Sequence, residues 1–152
     1  MLKLSALEFF FRGIPESFLC VLLAYIIYNK NIRKILIVEA AVSFAVITYL
    51  IRLLPISYGV NTIISMIAFI LISMYVMKIS MNVSIFSIFV SVILMYFCEW
   101  INMLTIDKLF KIYGFTNAYW RFIYNIPSLI MFMILVLIFY LVINKISRRF
   151  GR

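Results

Sequence analysis

The chain has 152 residues, 67% of them hydrophobic and 12% charged, with a mean hydropathy of +1.18. A soluble domain carries about half apolar and a quarter charged residues, so this composition argues against one and points to an integral membrane protein, with length for one bundle and no second domain. The net charge of +9 comes from 14 Lys/Arg against 5 Asp/Glu. Those basic residues flank apolar runs, so they read as topology signals and lipid-phosphate contacts, with no nucleic acid implied.

The expected fold is all-α: a polytopic transmembrane helix bundle of about five spans with one or two interfacial helices. The spans cover residues 17–28, 35–54, 60–77, 83–104 and 123–143. Most approach the ~20 residues a helix needs to cross ~30 Å of hydrocarbon. Before the first run, Leu4, Leu7, Phe10 and Phe11 make an apolar stripe, with Glu8 four residues from Arg12. Either this is an interfacial helix, or a kinked first span begins near Leu4. Glu8, Arg12 and Pro15 break it as a signal peptide, so the first span is expected to stay. Pro15 suits a first helical turn, and Glu16 suits the positive end of the helix dipole.

The second run carries Glu39, expected to pair with Arg33 or Lys34. It also holds Ala41-Val-Ser-Phe-Ala45, a small-xxx-small pattern of the kind that brings helices together, and it stops at Pro55. Asn61 lies early in the third run; Glu99 and Asn102 lie late in the fourth. Beyond the fourth, Ile106, Leu109, Phe110 and Tyr113 repeat at helical spacing, and Asp107 is four residues from Lys111. That predicts a short interfacial helix ended by Gly114, followed by Tyr119 and Trp120 in an aromatic belt. The fifth span should open at Pro127, behind Asn125 and beside Ser128. Cys20 and Cys98 fall inside spans, where cysteine behaves as a small apolar residue; no disulfide is expected.

Basic residues orient the spans. With five crossings, Lys30, Arg33, Lys34, Lys78 and the tail Lys145, Arg148, Arg149 and Arg152 share one side. Lys3, Arg12, Arg52, Lys108, Lys111 and Arg121 share the other. Eight against six, with two dense clusters among the eight, predicts a multi-pass cell-membrane protein with the N-terminus outside and the C-terminus cytoplasmic. All three prolines then fall on the outer face.

Glu99 draws attention because a carboxylate inside a span needs a partner, a water cavity or a route to the interface. It lies about five residues from the outer end of its span and is too short to snorkel far. Arg52, Arg12, Glu16, Asn61, Asn102, Asn125 and Ser128 lie at a comparable level. Two readings stand: a structural ion pair between Glu99 and Arg52 or Arg12, or an outward-facing polar cluster that binds a ligand. Arg148 and Arg149 are candidates for docking a cytoplasmic partner.

The chain has no histidine, one aspartate (Asp107) and four glycines. That removes His-based nucleophilic catalysis and His-ligated metal sites, paired aspartates and a Gly-rich phosphate loop. The expectation is no enzyme, no metal and no cofactor.

The segments Phe11-Arg-Gly-Ile-Pro-Glu-Ser-Phe18, Arg52-Leu-Leu-Pro-Ile-Ser-Tyr-Gly59 and Cys98-Glu-Trp-Ile-Asn102 resemble the membrane region that precedes the cytoplasmic part of some clostridial sensor histidine kinases. They also resemble related small stand-alone membrane proteins. The resemblance implies an outside-facing ligand and a signal passed inward through the last span. No phosphoacceptor histidine or ATP-binding domain is present, so the expected role is a sensing or regulatory module partnered by a cytoplasmic kinase or another membrane subunit. A transporter subunit or a bacteriocin or peptide immunity protein is the alternative, and a holin-like pore a third reading. A homo-oligomer is compatible with each.

Overall fold

The computed structural model describes residues 12–28, 33–55, 57–110 and 118–150. Their regular structure is entirely helical. In chain order the helices are α1 (Ile14–Tyr28), α2 (Lys34–Leu53), α3 (Tyr58–Tyr75), α4 (Met81–Phe110) and α5 (Ala118–Phe150). The stripe at residues 4–11 lies outside the described residues.

Local chemistry accounts for most boundaries. Arg12 and Gly13 form a π-type turn ahead of α1, and Pro15 and Glu16 occupy its first turn, as expected. α2 stops at Leu53 because Pro55 forces the residue before it out of the helical region: Leu54 is extended, at φ −69° and ψ 143°. α3 closes through Ile79 N–H donating to the Ser73 carbonyl at 3.1 Å, with Lys78 in the left-handed region at φ 55°.

Three boundaries differ from the sequence expectation. The residues assigned to a separate interfacial helix begin as an unbroken continuation of α4, which runs to Phe110. Nothing between Leu104 and Phe110 breaks a helix, and Thr105 folds its hydroxyl back onto the Ile101 carbonyl at 2.8 Å. Pro127 does not open the last helix but lies inside α5. The cost of its missing N–H falls where neighbouring helices and side chains can satisfy the freed carbonyl. Finally, Arg148 and Arg149 belong to a continuous α5, not to a tail beyond it.

α2, α3, α4 and α5 pack in sequence order, each on the next, and α1 packs on α2, α4 and α5. α1 is therefore the inner helix. Its buried residues, Ser17, Leu19, Cys20, Val21, Leu23, Ala24 and Ile26, cover more than half of its circumference, as a helix packed on three neighbours requires. Phe44 of α2 meets Phe69 of α3 edge to face, with centroids 5.1 Å apart.

The inward faces set small residues among large ones such as Ile37, Phe44, Phe69 and Phe132. Ala40, Ala41 and Ala45 of α2 and Ser84, Ser87 and Ser91 of α4 are buried. The faces turned outward are large and apolar: Ile35, Val38, Val42, Val46 and Leu50 on α2, Phe86, Phe89, Ile93 and Trp100 on α4, and Met133, Leu137 and Leu141 on α5. α2, residues 81–105 of α4 and residues 126–145 of α5 are each long and apolar enough to cross a bilayer; the helical parts 14–28 and 59–75 are shorter. This helical bundle is compatible with a membrane protein.

Candidate polar cluster at one end of the bundle

The antiparallel packing brings the start of α1, the end of α2 and the late part of α4 to one end. The described charged residues there are Arg12, Glu16, Arg52 and Glu99, and they form an alternating chain. Arg52 Nη2 lies 3.9 Å from Glu16 Oε1, and Glu16 Oε2 lies 3.6 Å from Arg12 Nε across one helical turn. A second Arg12 guanidinium nitrogen donates to Glu99 Oε1. Two cations and two carboxylates leave no net charge. Glu16 is the most enclosed, its side chain 13% exposed; Arg12 (27%), Glu99 (28%) and Arg52 (32%) remain within reach of solvent.

The structure thus decides between the two partners considered for Glu99. Arg12 pairs with it, while Arg52 turns to Glu16. The reason is register. Arg12 stands one turn before Glu16 in chain order and can touch both carboxylates, whereas Arg52 approaches from α2 on the far side of α1.

Arg12, Glu16, Met95, Glu99, Ser128, Leu129 and Phe132 line a cleft between α1, α4 and α5. It leaves about 10 Å³ at its centre, the room of one water molecule. A larger guest needs a side chain to move.

The other candidate residues sort by helix. Ser128 joins the cleft wall. Asn102 is buried three residues beyond Glu99, and both Asn102 and Ser128 have interaction partners. Asn61 stands apart on α3; its Oδ1 is buried without a hydrogen bond among the described residues. The side chains of Asn125, Arg121, Arg148 and Arg149 lie outside the described residues, although their backbones are helical. Glu39 corrects an expectation. It is exposed and makes no ion pair with Arg33 or Lys34. Five residues of α-helix rotate Lys34 and Glu39 about 140° apart, so one helix cannot close that pair.

Sequence reasoning passed over the apolar wall, Met95, Leu129 and Phe132, and the small inner face of α4. The signal was present: Ser84, Ser87, Ser91, Met95, Cys98 and Asn102 recur at steps of three and four. Ser87 and Ser91 donate to the carbonyls of Val83 at 2.6 Å and Ser87 at 2.8 Å, which lets hydroxyls sit inside a bundle without a partner helix. Cys20 and Cys98 are both buried and free. Among the described residues no three Cys, Asp or Glu side chains converge as a metal site would require.

Comparison with protein-family models, with curated proteins and with solved structures finds no match to this chain.

Proposed function

We propose that this chain is an integral membrane protein that crosses the bilayer five times, N-terminus outside and C-terminus cytoplasmic, and works as an outward-facing sensing or regulatory module in signal transduction. Its large apolar residues turned outward, with Ala40, Ala41 and Ala45 of α2 and the serine row of α4 turned inward, support the bilayer setting, where helices associate through close packing of small residues. Exposed Arg33, Lys34, Lys78 and Lys145 gather at one end, while Arg12 and Arg52, the arginines at the other end whose side chains are described, are paired with carboxylates. That asymmetry supports the orientation.

The observation that carries the sensing role is the alternating chain Arg52–Glu16–Arg12–Glu99 beside a cleft that holds no more than a water. A ligand shifts a two-state element only by binding one state better. A charged ligand group entering from the outer end would compete for Arg52 first, because Arg52 is the most exposed member and its contact is the longest. Losing that link removes the ion-pair tie between α1 and α2, while the Arg12–Glu99 tie to α4 remains. Ser128, Leu129 and Phe132 on the cleft wall belong to α5, which continues as one helix to Phe150. A displacement at the cleft therefore has a continuous rod toward Arg148 and Arg149, where a cytoplasmic kinase would dock.

The test is affinity isolation of the intact protein from native membranes, alongside a Glu99→Gln variant. A kinase or response regulator should co-isolate, and the variant should insert normally yet alter its output. Unchanged output in Glu99→Gln refutes the sensing role.

A second reading, a subunit of a transporter or of a peptide-immunity assembly, is favoured by one observation. α5 leaves Ile130, Met133, Ile134, Leu137, Ile138 and Leu141 exposed, a wide face that another membrane subunit could cover. Recovery of a transporter ATPase would select that reading.

A further inference from the structure

Glu39, which has no ion pair among the described residues, stands in an unusual setting. It is an exposed carboxylate on a helix whose outward face is otherwise aliphatic: Ile35, Val38, Val42, Val46 and Leu50. It lies about 7.5 Å along the axis from Lys34, below the level where the chain's basic residues cluster. A carboxylate facing lipid is costly without a partner. Its own chain supplies none among the described residues, and α2 packs chiefly on α1 and α3, which leaves this face open.

Lys34 and Glu39 lie on either side of the row Ile35, Val38, Val42. In heptad terms the row reads a, d, a. Lys34 is then the g position before it and Glu39 the following e position. In two parallel helices, g of one and the next e of the other are the positions that form interhelical ion pairs. The spacing that forbids the pair within one helix is the one that closes it between two. Past Val42 the exposed row continues in steps of four through Val46 and Leu50. This is a smooth ridge against which a second helix can run.

We propose that α2 is a self-association face: it packs in parallel against α2 of a second copy of this chain, with Lys34 of each copy on Glu39 of the other. The occupant is a second copy because charge complementarity is reciprocal. The face carries its own cation and its own anion, at matching offsets on either side of an apolar seam. Two copies inserted with the same orientation meet by a two-fold axis along the bilayer normal, which makes both ion pairs at once. The inference rests on the bilayer setting, but not on the sensing role.

The experiment uses the full-length protein in isolated membranes. Val42→Cys places a thiol on the seam, and Phe89→Cys places one on the outward face of α4 as a control. Under mild oxidation Val42→Cys should form a covalent dimer, while Phe89→Cys and the unmodified chain should not. In the Val42→Cys background, Lys34→Glu or Glu39→Lys alone should weaken dimerisation roughly tenfold, as loss of two modest ion pairs implies. Lys34→Glu with Glu39→Lys should restore it. No dimer through residue 42, or no rescue by the double reversal, overturns the proposal. Recovery of the chain in the membrane fraction is scored in parallel. A chain that fails to insert overturns the bilayer reading, whereas an inserted chain that does not cross-link overturns the interface alone.

Discussion

Arg12 holds the polar cluster together because it touches both carboxylates, whereas Arg52 touches one at 3.9 Å. Exposed ion pairs contribute up to about 1 kcal/mol, and removing one partner of a fully buried pair costs about 3–5 kcal/mol. Arg12 and Glu16 lie between those limits, with Glu16 nearer the buried one. Arg12→Gln should therefore destabilise the protein by about 2 kcal/mol, since among the described residues it leaves Glu16 with one distant cation and Glu99 with none. Arg52→Gln should cost less than about 1 kcal/mol. Denaturant titration in detergent, read by tryptophan fluorescence, ranks the two; equal losses would mean that Arg12 is not the centre of the cluster. The participants were legible in the sequence, because charges within apolar runs are few and Arg12, Arg52 and Glu16 all lie at the level of Glu99. The pairing was not legible. Choosing between Arg12 and Arg52 depends on which side of α1 faces α4, and that is set by packing among helices distant in sequence.

The helices show the same division between local and distant causes. Pro55 ends α2 through its ring's clash with the preceding residue, a local rule that needs no tertiary partner. Pro127 obeys no such local rule: α5 passes through it. An interior proline costs about 3 kcal/mol in a helix in water, less where neighbouring groups satisfy the freed carbonyl. Pro127→Ala should restore a backbone hydrogen bond and stabilise the fold by about 1 kcal/mol, measured as a higher midpoint in the same titration. A lower midpoint would mean that the bundle is built around Pro127. Packing gives a second prediction at this scale. Ala40 of α2 and Ser87 of α4 have no exposed surface, and added side-chain volume in a filled core costs about 1–3 kcal/mol. Ala40→Leu and Ser87→Leu should each lose that much, whereas Ile93→Leu, on the outward face of α4, should be neutral within about 0.5 kcal/mol. The small-xxx-small pattern at Ala41 and Ala45 marked one of these inner faces from sequence. The serine row of α4 carried the same information, but serine also caps helices and lines loops, so its spacing gains meaning only once α1 is known to pack beside it.

At the scale of the whole molecule, the two ends differ in how their charges are balanced. Among the described side chains, one end carries Arg12 and Arg52 against Glu16 and Glu99, each linked to the next in one chain. The other exposes Arg33, Lys34, Lys78 and Lys145, with only Glu39 near them among the described residues. Counting basic residues in sequence gave a narrow margin of eight to six, because that count cannot tell which cations are bound within the protein. Paired arginines are held by the fold, while free cations remain available to anionic headgroups and the cytoplasmic leaflet. The end bearing Lys78 should therefore face the cytoplasm, and the α2–α3 turn at Ser57 should face outward. Both positions are exposed, and Ser57 makes no side-chain capping bond that a substitution would remove. In intact cells a membrane-impermeant maleimide should label Ser57→Cys, and it should reach Lys78→Cys only after the membrane is opened. The buried Cys20 and Cys98 should stay silent in both states. Labelling of Lys78→Cys in intact cells would invert the molecule. The Arg52–Glu16–Arg12–Glu99 chain would then face the cytoplasm, and an extracellular ligand could not reach it.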